Sequence, residues 1–96
     1  MGELRSSFMK TSPAVIVSNN AANEFSSRVI IAPITSKAHK IYPFEVGIEL
    51  QERKCKVLLD QIRAIDKLRL GNKISRCDRE ILDHIDTTLK IVLALT

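Results

Sequence analysis

The sequence predicts a small, mainly β domain closed by one C-terminal helix, and three observations carry that prediction. Short runs rich in β-branched residues recur at 14–18, 28–35, 45–50 and 54–60. Stretches rich in Ser, Asn, Pro and Lys separate several of them. From 78 onward the apolar residues change to helical spacing. Ninety-six residues suit one domain, because a chain of this size buries roughly 60–70% of its unfolded surface. No shift in composition marks a linker.

In order along the chain, residues 1–12 (MGELRSSFMKTS) are polar and without period, and predict an irregular N-terminal arm. AVIVS (14–18) predicts a strand entered through Pro13. SNNAANEFSS (18–27) has turn-forming composition and predicts a loop. RVIIAPIT (28–35) is almost continuously apolar, as a strand covered on both faces requires. Pro33 inside it donates no ladder hydrogen bond and is expected at an edge or a bulge. SKAHKIYP (36–43) is a basic loop. EVGIEL and KCKVLLD predict a hairpin around Gln51–Lys54, with Leu50 facing Cys55, Ile48 facing Val57 and Val46 facing Leu59. That register puts Glu49 opposite Lys56 on the other face. IRAID (62–66) continues or follows the strand, DKLRLG makes a helical turn ended by Gly71, and Lys73–Arg76 adds a short strand. Asp78 caps a helix running to about Ala94, with Ile81, Ile85, Leu89 and Val92 on its apolar side.

Composition narrows the function classes. The apolar runs are too short to span a bilayer, and no charged start followed by an apolar stretch reads as a signal peptide, so a cytoplasmic location is expected. Cys55 and Cys77 are too few for a disulfide framework and lack metal spacing; two buried free thiols are expected. Net charge is +4, which permits nucleic acid or acidic protein partners without selecting either. Four aromatic residues (Phe8, Phe25, Tyr42, Phe44) argue against a stacking surface such as an RNA-recognition sheet.

Few residues offer chemistry by themselves. His84 falls on the polar side of the helix, where a solvated histidine is the ordinary reading. His39 stands among Lys37, Lys40 and Tyr42, which suits either a solvated loop or phosphate contact in a basic groove. Thr35 and Ser36 end a strand, where hydroxyls commonly satisfy a turn. Asp60 and Arg63 fit a structural ion pair at a strand end equally well.

PAVIVSNN, VIIAPITS, LLDQIRAIDKLRL and a helix ending KIVLAL, in that order over about residues 13–96, resemble the MazF/PemK family of toxin endoribonucleases. The resemblance implies a single domain at 13–96, a small curved antiparallel sheet of SH3-like barrel type with a C-terminal α-helix, and a homodimer. It implies the toxin of a type II toxin–antitoxin system, cleaving single-stranded RNA without metal or other cofactor by attack of a ribose 2′-OH on the adjacent phosphate. Its partner would be an acidic, partly disordered MazE-like antitoxin lying along the RNA groove. On the family pattern Thr35 and Ser36 hold the phosphate, and Asp60 takes part in the PemK-like branch. Lys37, His39, Lys40, Arg63 and Asn19 are then candidate RNA contacts.

Two departures stand out. The family writes Arg immediately before the Pro, and here that position is Ser12, which supplies neither charge nor forked donor. The family's first strand, of the form RGxxxxVxLxP, has no counterpart in residues 1–11, which predicts an open sheet edge. A catalytically inactive binding module for an antitoxin or partner subunit is therefore a second reading. A gyrase poison like CcdB, which shares the fold, is a third; the ITS and LLDQIR motifs favour the ribonuclease branch.

Overall fold

The structure is a computed structural model and describes residues 7–9 and 13–95 of the chain. Seven strands form one curled antiparallel sheet: β1 (Ser7–Met9), β2 (Ala14–Ile16), β3 (Arg28–Thr35), β4 (Glu45–Leu50), β5 (Arg53–Leu58), β6 (Arg63–Asp66) and β7 (Lys73–Arg76). Two helices, α1 (Asn20–Phe25) and α2 (Arg79–Val92), complete it. The strand order is β4-β5-β3-β2-β1-β7, with β6 also paired to β3. This is the expected mainly β half-barrel with a C-terminal helix. No helix among the described residues is long and apolar enough to cross a membrane.

β3 is the axis of the fold. It pairs with β2 on one side, and on the other with β6 through Arg28 to Ile31 and then with β5 at Ile34 and Thr35. The Ile34 N–H donates to the Pro13 carbonyl at 2.9 Å. Backbone groups alternate in direction along a strand, so the position of Pro33 that lacks a donor faces the gap between β6 and β5. Proline is tolerated there because the ladder is already interrupted.

Side chains on β2 and β3 alternate into two cores. Val15 and Ala32 join Val46, Ile48, Leu50, Cys55, Val57, Leu59 and Ile85 of α2 on one face. Ala14, Ile16, Val29 and Ile31 form a second cluster on the other, with Ile65 and Leu70 against it. That double burial accounts for the nearly unbroken apolar run at 28–35. Asp78 caps α2, its carboxylate accepting from the Ile81 N–H at 2.9 Å. The helix stops at Val92, two residues early, because Ala94 turns left-handed (φ 56°). The Leu95 N–H then bonds the Lys90 carbonyl and the Ala94 N–H the Ile91 carbonyl, which together make a Schellman motif.

Four expectations are corrected. Ser7–Met9, placed in an irregular arm, is a strand between β2 and β7, so β2 does not present the open edge predicted for it. The stretch 18–27 is not all loop: Asn19 accepts from the Ala22 N–H at 2.8 Å and starts α1. Asn23 is buried there, its Nδ2 donating to the Ser18 carbonyl at 3.0 Å and its Oδ1 accepting from the Ser18 hydroxyl. The same hydroxyl accepts from the Ile30 N–H at 3.0 Å, which ties α1 to β3. Asn and Ser thus spend their backbone-seeking groups on a cap and a buried brace.

The hairpin register is also shifted by two residues. Leu50 pairs with Arg53, Ile48 with Cys55 and Val46 with Val57, while Glu49 faces Lys54 and Lys56 faces Gly47. Gln51 and Glu52 both take positive φ (51° and 64°), forming a two-residue turn of the type that matches strand twist. A shift of two preserves which side chains face the core. Lastly, of the two cysteines only Cys55 is buried; Cys77 is half-buried.

Candidate nucleic-acid cleft

β3 delivers the chain at Thr35 into the 36–44 loop, and three devices fix that loop against the sheet. The first is an ion pair: Lys56 Nζ lies 2.8 Å from Glu45 Oε1, with the side chains only 12% and 7% exposed. Lys56 Nζ also donates to the Lys40 carbonyl at 2.9 Å. The second is a reciprocal backbone bracket, in which the Tyr42 N–H donates to Glu45 Oε1 and the Glu45 N–H to the Tyr42 carbonyl, both at 2.9 Å. The third is Ile41, seated where Gly47 leaves room; a Cβ at Gly47 would overlap Ile41 Cδ1. The hydrogen bond from Lys56 holds the Glu45 carboxyl below its usual pKa, helped by the Tyr42 N–H and outweighing the effect of burial.

The loop and the end of β3 enclose a cleft of about 400 Å³. Thr35, Lys37, His39 and Lys40 line it, together with Tyr42, Glu45, Lys56 and Gln61. Three ammonium groups against one paired carboxylate make it electropositive. The Tyr42 and Phe44 rings stack at 5.5 Å with planes 8° apart. Lys40 Nζ sits 4.9 Å and Lys56 Nζ 5.5 Å from the Tyr42 centroid.

Thr35, Lys37, His39 and Lys40 thus share one cleft, and the other sequence candidates lie around it. Thr35 is half-buried, its Oγ1 accepting from the Lys37 N–H at 3.2 Å. Ser36 opens onto an adjoining cavity that Thr35 also lines, with Pro13, Gln51 and Arg53. Ser12 lies outside the described residues. Pro13 lines that second cavity with Thr35 and Ser36. Asp60 is exposed in the 3₁₀ turn Leu59–Gln61, beside the cleft-lining Gln61. Arg63 lines a third cavity, of similar volume, with Arg69, Ile31 and Pro33. Asn19 caps α1. Among the described residues no three His, Cys, Asp or Glu groups converge as metal ligands do.

Tyr42, Glu45, Lys56 and Gln61 escape a reading of sequence alone. A Glu–Lys pair across the hairpin was legible, but the expected register assigned Lys56 to Glu49.

Residues 3–93 match the family described as PemK-like, MazF-like toxin of type II toxin–antitoxin system. The chain belongs to this family. It is 41% identical over 88 residues to Endoribonuclease EndoA of Bacillus subtilis, covering 86% of this chain and 76% of the relative. Among solved structures, an endoribonuclease from a mycobacterial species superposes with a TM-score of 0.87 at 25% identity, covering 99% of this chain and 94% of that one. An endoribonuclease in complex with its cognate antitoxin, also mycobacterial, gives 0.84 at 24% identity over 99% and 98%. The family match begins at residue 3, so it takes in β1 as well as the motifs from 13 onward.

Proposed function

We propose that this PemK/MazF-like chain is a toxin-type endoribonuclease whose catalytic power is reduced at one position. Thr35 at the rim of a lysine-lined cleft, in a chain 41% identical to an endoribonuclease, is the observation that carries this reading. The substrate is single-stranded RNA. Its own 2′-OH is the nucleophile, attacking the adjacent phosphorus while the 5′-oxygen of the next nucleotide leaves. The protein's tasks are to hold the phosphate, move protons and offset the added negative charge. Thr35 and Ser36 donate to phosphate oxygens, Lys37, Lys40 and His39 neutralise the flanking backbone, and Asp60 participates at the turn. Arg63 and Asn19 bind RNA more remotely.

Ser12 cannot grip the phosphate with a charged fork. Loss of one transition-state donor costs on the order of 10²–10³ in rate. Incubation with mixed-sequence RNA, metal omitted, should therefore show slow cleavage that Ser12→Arg accelerates by about that factor. RNA left intact by both forms at high enzyme would overturn the nuclease reading. It would favour the second one, a binding module that captures an antitoxin without cutting, which the serine before Pro13 supports. In either case an acidic antitoxin segment is the expected partner of the basic cleft. The mycobacterial relative with its cognate antitoxin supports this partner. The protein acts in the cytoplasm, as a homodimer.

A further inference from the structure

We propose that Tyr42 and Phe44 form a seat for one unpaired nucleobase of the RNA, flanking the phosphate held at Thr35. This deepens the reading of the cleft as an RNA-cleaving site and rests on it. The chain has only four aromatic side chains, and two of them are stacked face to face here. They are not core: Tyr42 remains 42% and Phe44 36% exposed. A stacked slab open to solvent offers π-surface that a base can extend, and single-stranded RNA is recognised mainly by such stacking.

The rings are also presented rigidly. The Tyr42 N–H and carbonyl are both tied to Glu45, and the residue between the rings is Pro43, whose φ is fixed. A ligand binding there loses little to ordering the protein. Lys40 and Lys56 approach the Tyr42 ring as cations do an aromatic face. Lys56 is held by Glu45, whereas Lys40 is exposed and free to swing to a phosphate while the base takes its place. Thr35 and Tyr42 line the same cleft, so the base belongs to a nucleotide next to the one being cut. Stacking tolerates every base and favours the larger purine face, so the seat sets position along the strand more than identity.

The test uses the full chain and fluorescently labelled short single-stranded RNA oligomers, each compared with a copy carrying one abasic ribose. Wild-type protein should bind the complete oligomer about tenfold more tightly than the copy lacking a base at one particular position. Tyr42→Leu with Phe44→Leu keeps the apolar volume but removes the π-face, and should bring that ratio to about 1. Tyr42→Phe should preserve it, since the face and not the hydroxyl acts. A ratio near 1 in the wild type at every position, or one unchanged in the double leucine variant, overturns the seat while leaving RNA binding intact. If the wild type bound none of these RNAs, the RNA reading itself would fall, and the seat with it.

Discussion

Leu59→Ala tests how the core holds the turn that lies beside the cleft. Leu59 is fully buried in the Leu59–Gln61 turn and packs in the cluster that includes Ile85 of α2. Its removal leaves a cavity where the sheet meets the helix, and Leu→Ala changes at such sites cost about 2.7–5 kcal/mol. The total stability of a small domain is about 5–15 kcal/mol, so the loss is a large share. At about 2.1 cal/mol/K per residue the unfolding entropy here is about 0.2 kcal/mol/K. The melting temperature should therefore fall by about 13–25 °C, read by far-ultraviolet circular dichroism with a urea titration at 25 °C. Leu68→Ala is the control, because Leu68 is 94% exposed and should change stability by no more than about 0.5 kcal/mol. RNA affinity measured well below the melting point should also drop for Leu59→Ala, since Gln61 shares the turn and lines the cleft. A loss under about 1 kcal/mol, or one matched by Leu68→Ala, would refute this account of the core.

Other perturbations follow from the same geometry. Replacing Gln51 and Glu52 by Asn-Gly, which accept positive φ readily, should raise stability by about 1 kcal/mol in a urea titration without moving the register. Ala94→Gly relieves the left-handed residue of the Schellman motif and should add about 0.5–1 kcal/mol by the same measurement. Asn19→Ala removes the α1 cap and should cost about 1 kcal/mol, with faster amide exchange at Ala22. The Glu45 carboxyl has a folded pKa below its ordinary 4.5. Its stabilisation is therefore present above that ordinary value and is lost as pH falls through the folded one. Lys56→Met should raise the Glu45 pKa in an NMR titration, and Glu45→Gln should flatten the acid limb of the stability curve.

Legibility in the sequence tracked the range of the interactions. The strand at 28–35 declared itself because both its faces are buried, and α2 because its spacing and Asp78 cap agree with one another. The hairpin strands were legible as strands, but their register was not. Gln51-Glu52 carries none of the Asn-Gly chemistry that announces a two-residue turn. α1 was hidden because Asn and Ser serve loops and caps alike, and only the fold brings Ser18 against Ile30. The loop candidates Lys37, His39 and Lys40 were drawn from local charge, and they line one cleft with Thr35. The anchors of that cleft were not legible, because Tyr42, Glu45 and Lys56 meet only once the register is known.

The change of partners along β3 has a consequence for the order in which the chain acquires its shape. Leu50 and Arg53 close the hairpin over two residues, Ile34 then reaches Val57, and Arg28 must wait for Asp66. Loop closure grows costlier with separation, so assembly is expected to start from the β4–β5 ribbon and spread outward through β3. The floor of the cleft belongs to that early nucleus. β1 meets β2, and β2 meets β3, across shorter separations than β3 meets β5, so the partner of β3 left for last is β6, and with it the wall of the cavity that Arg63 lines.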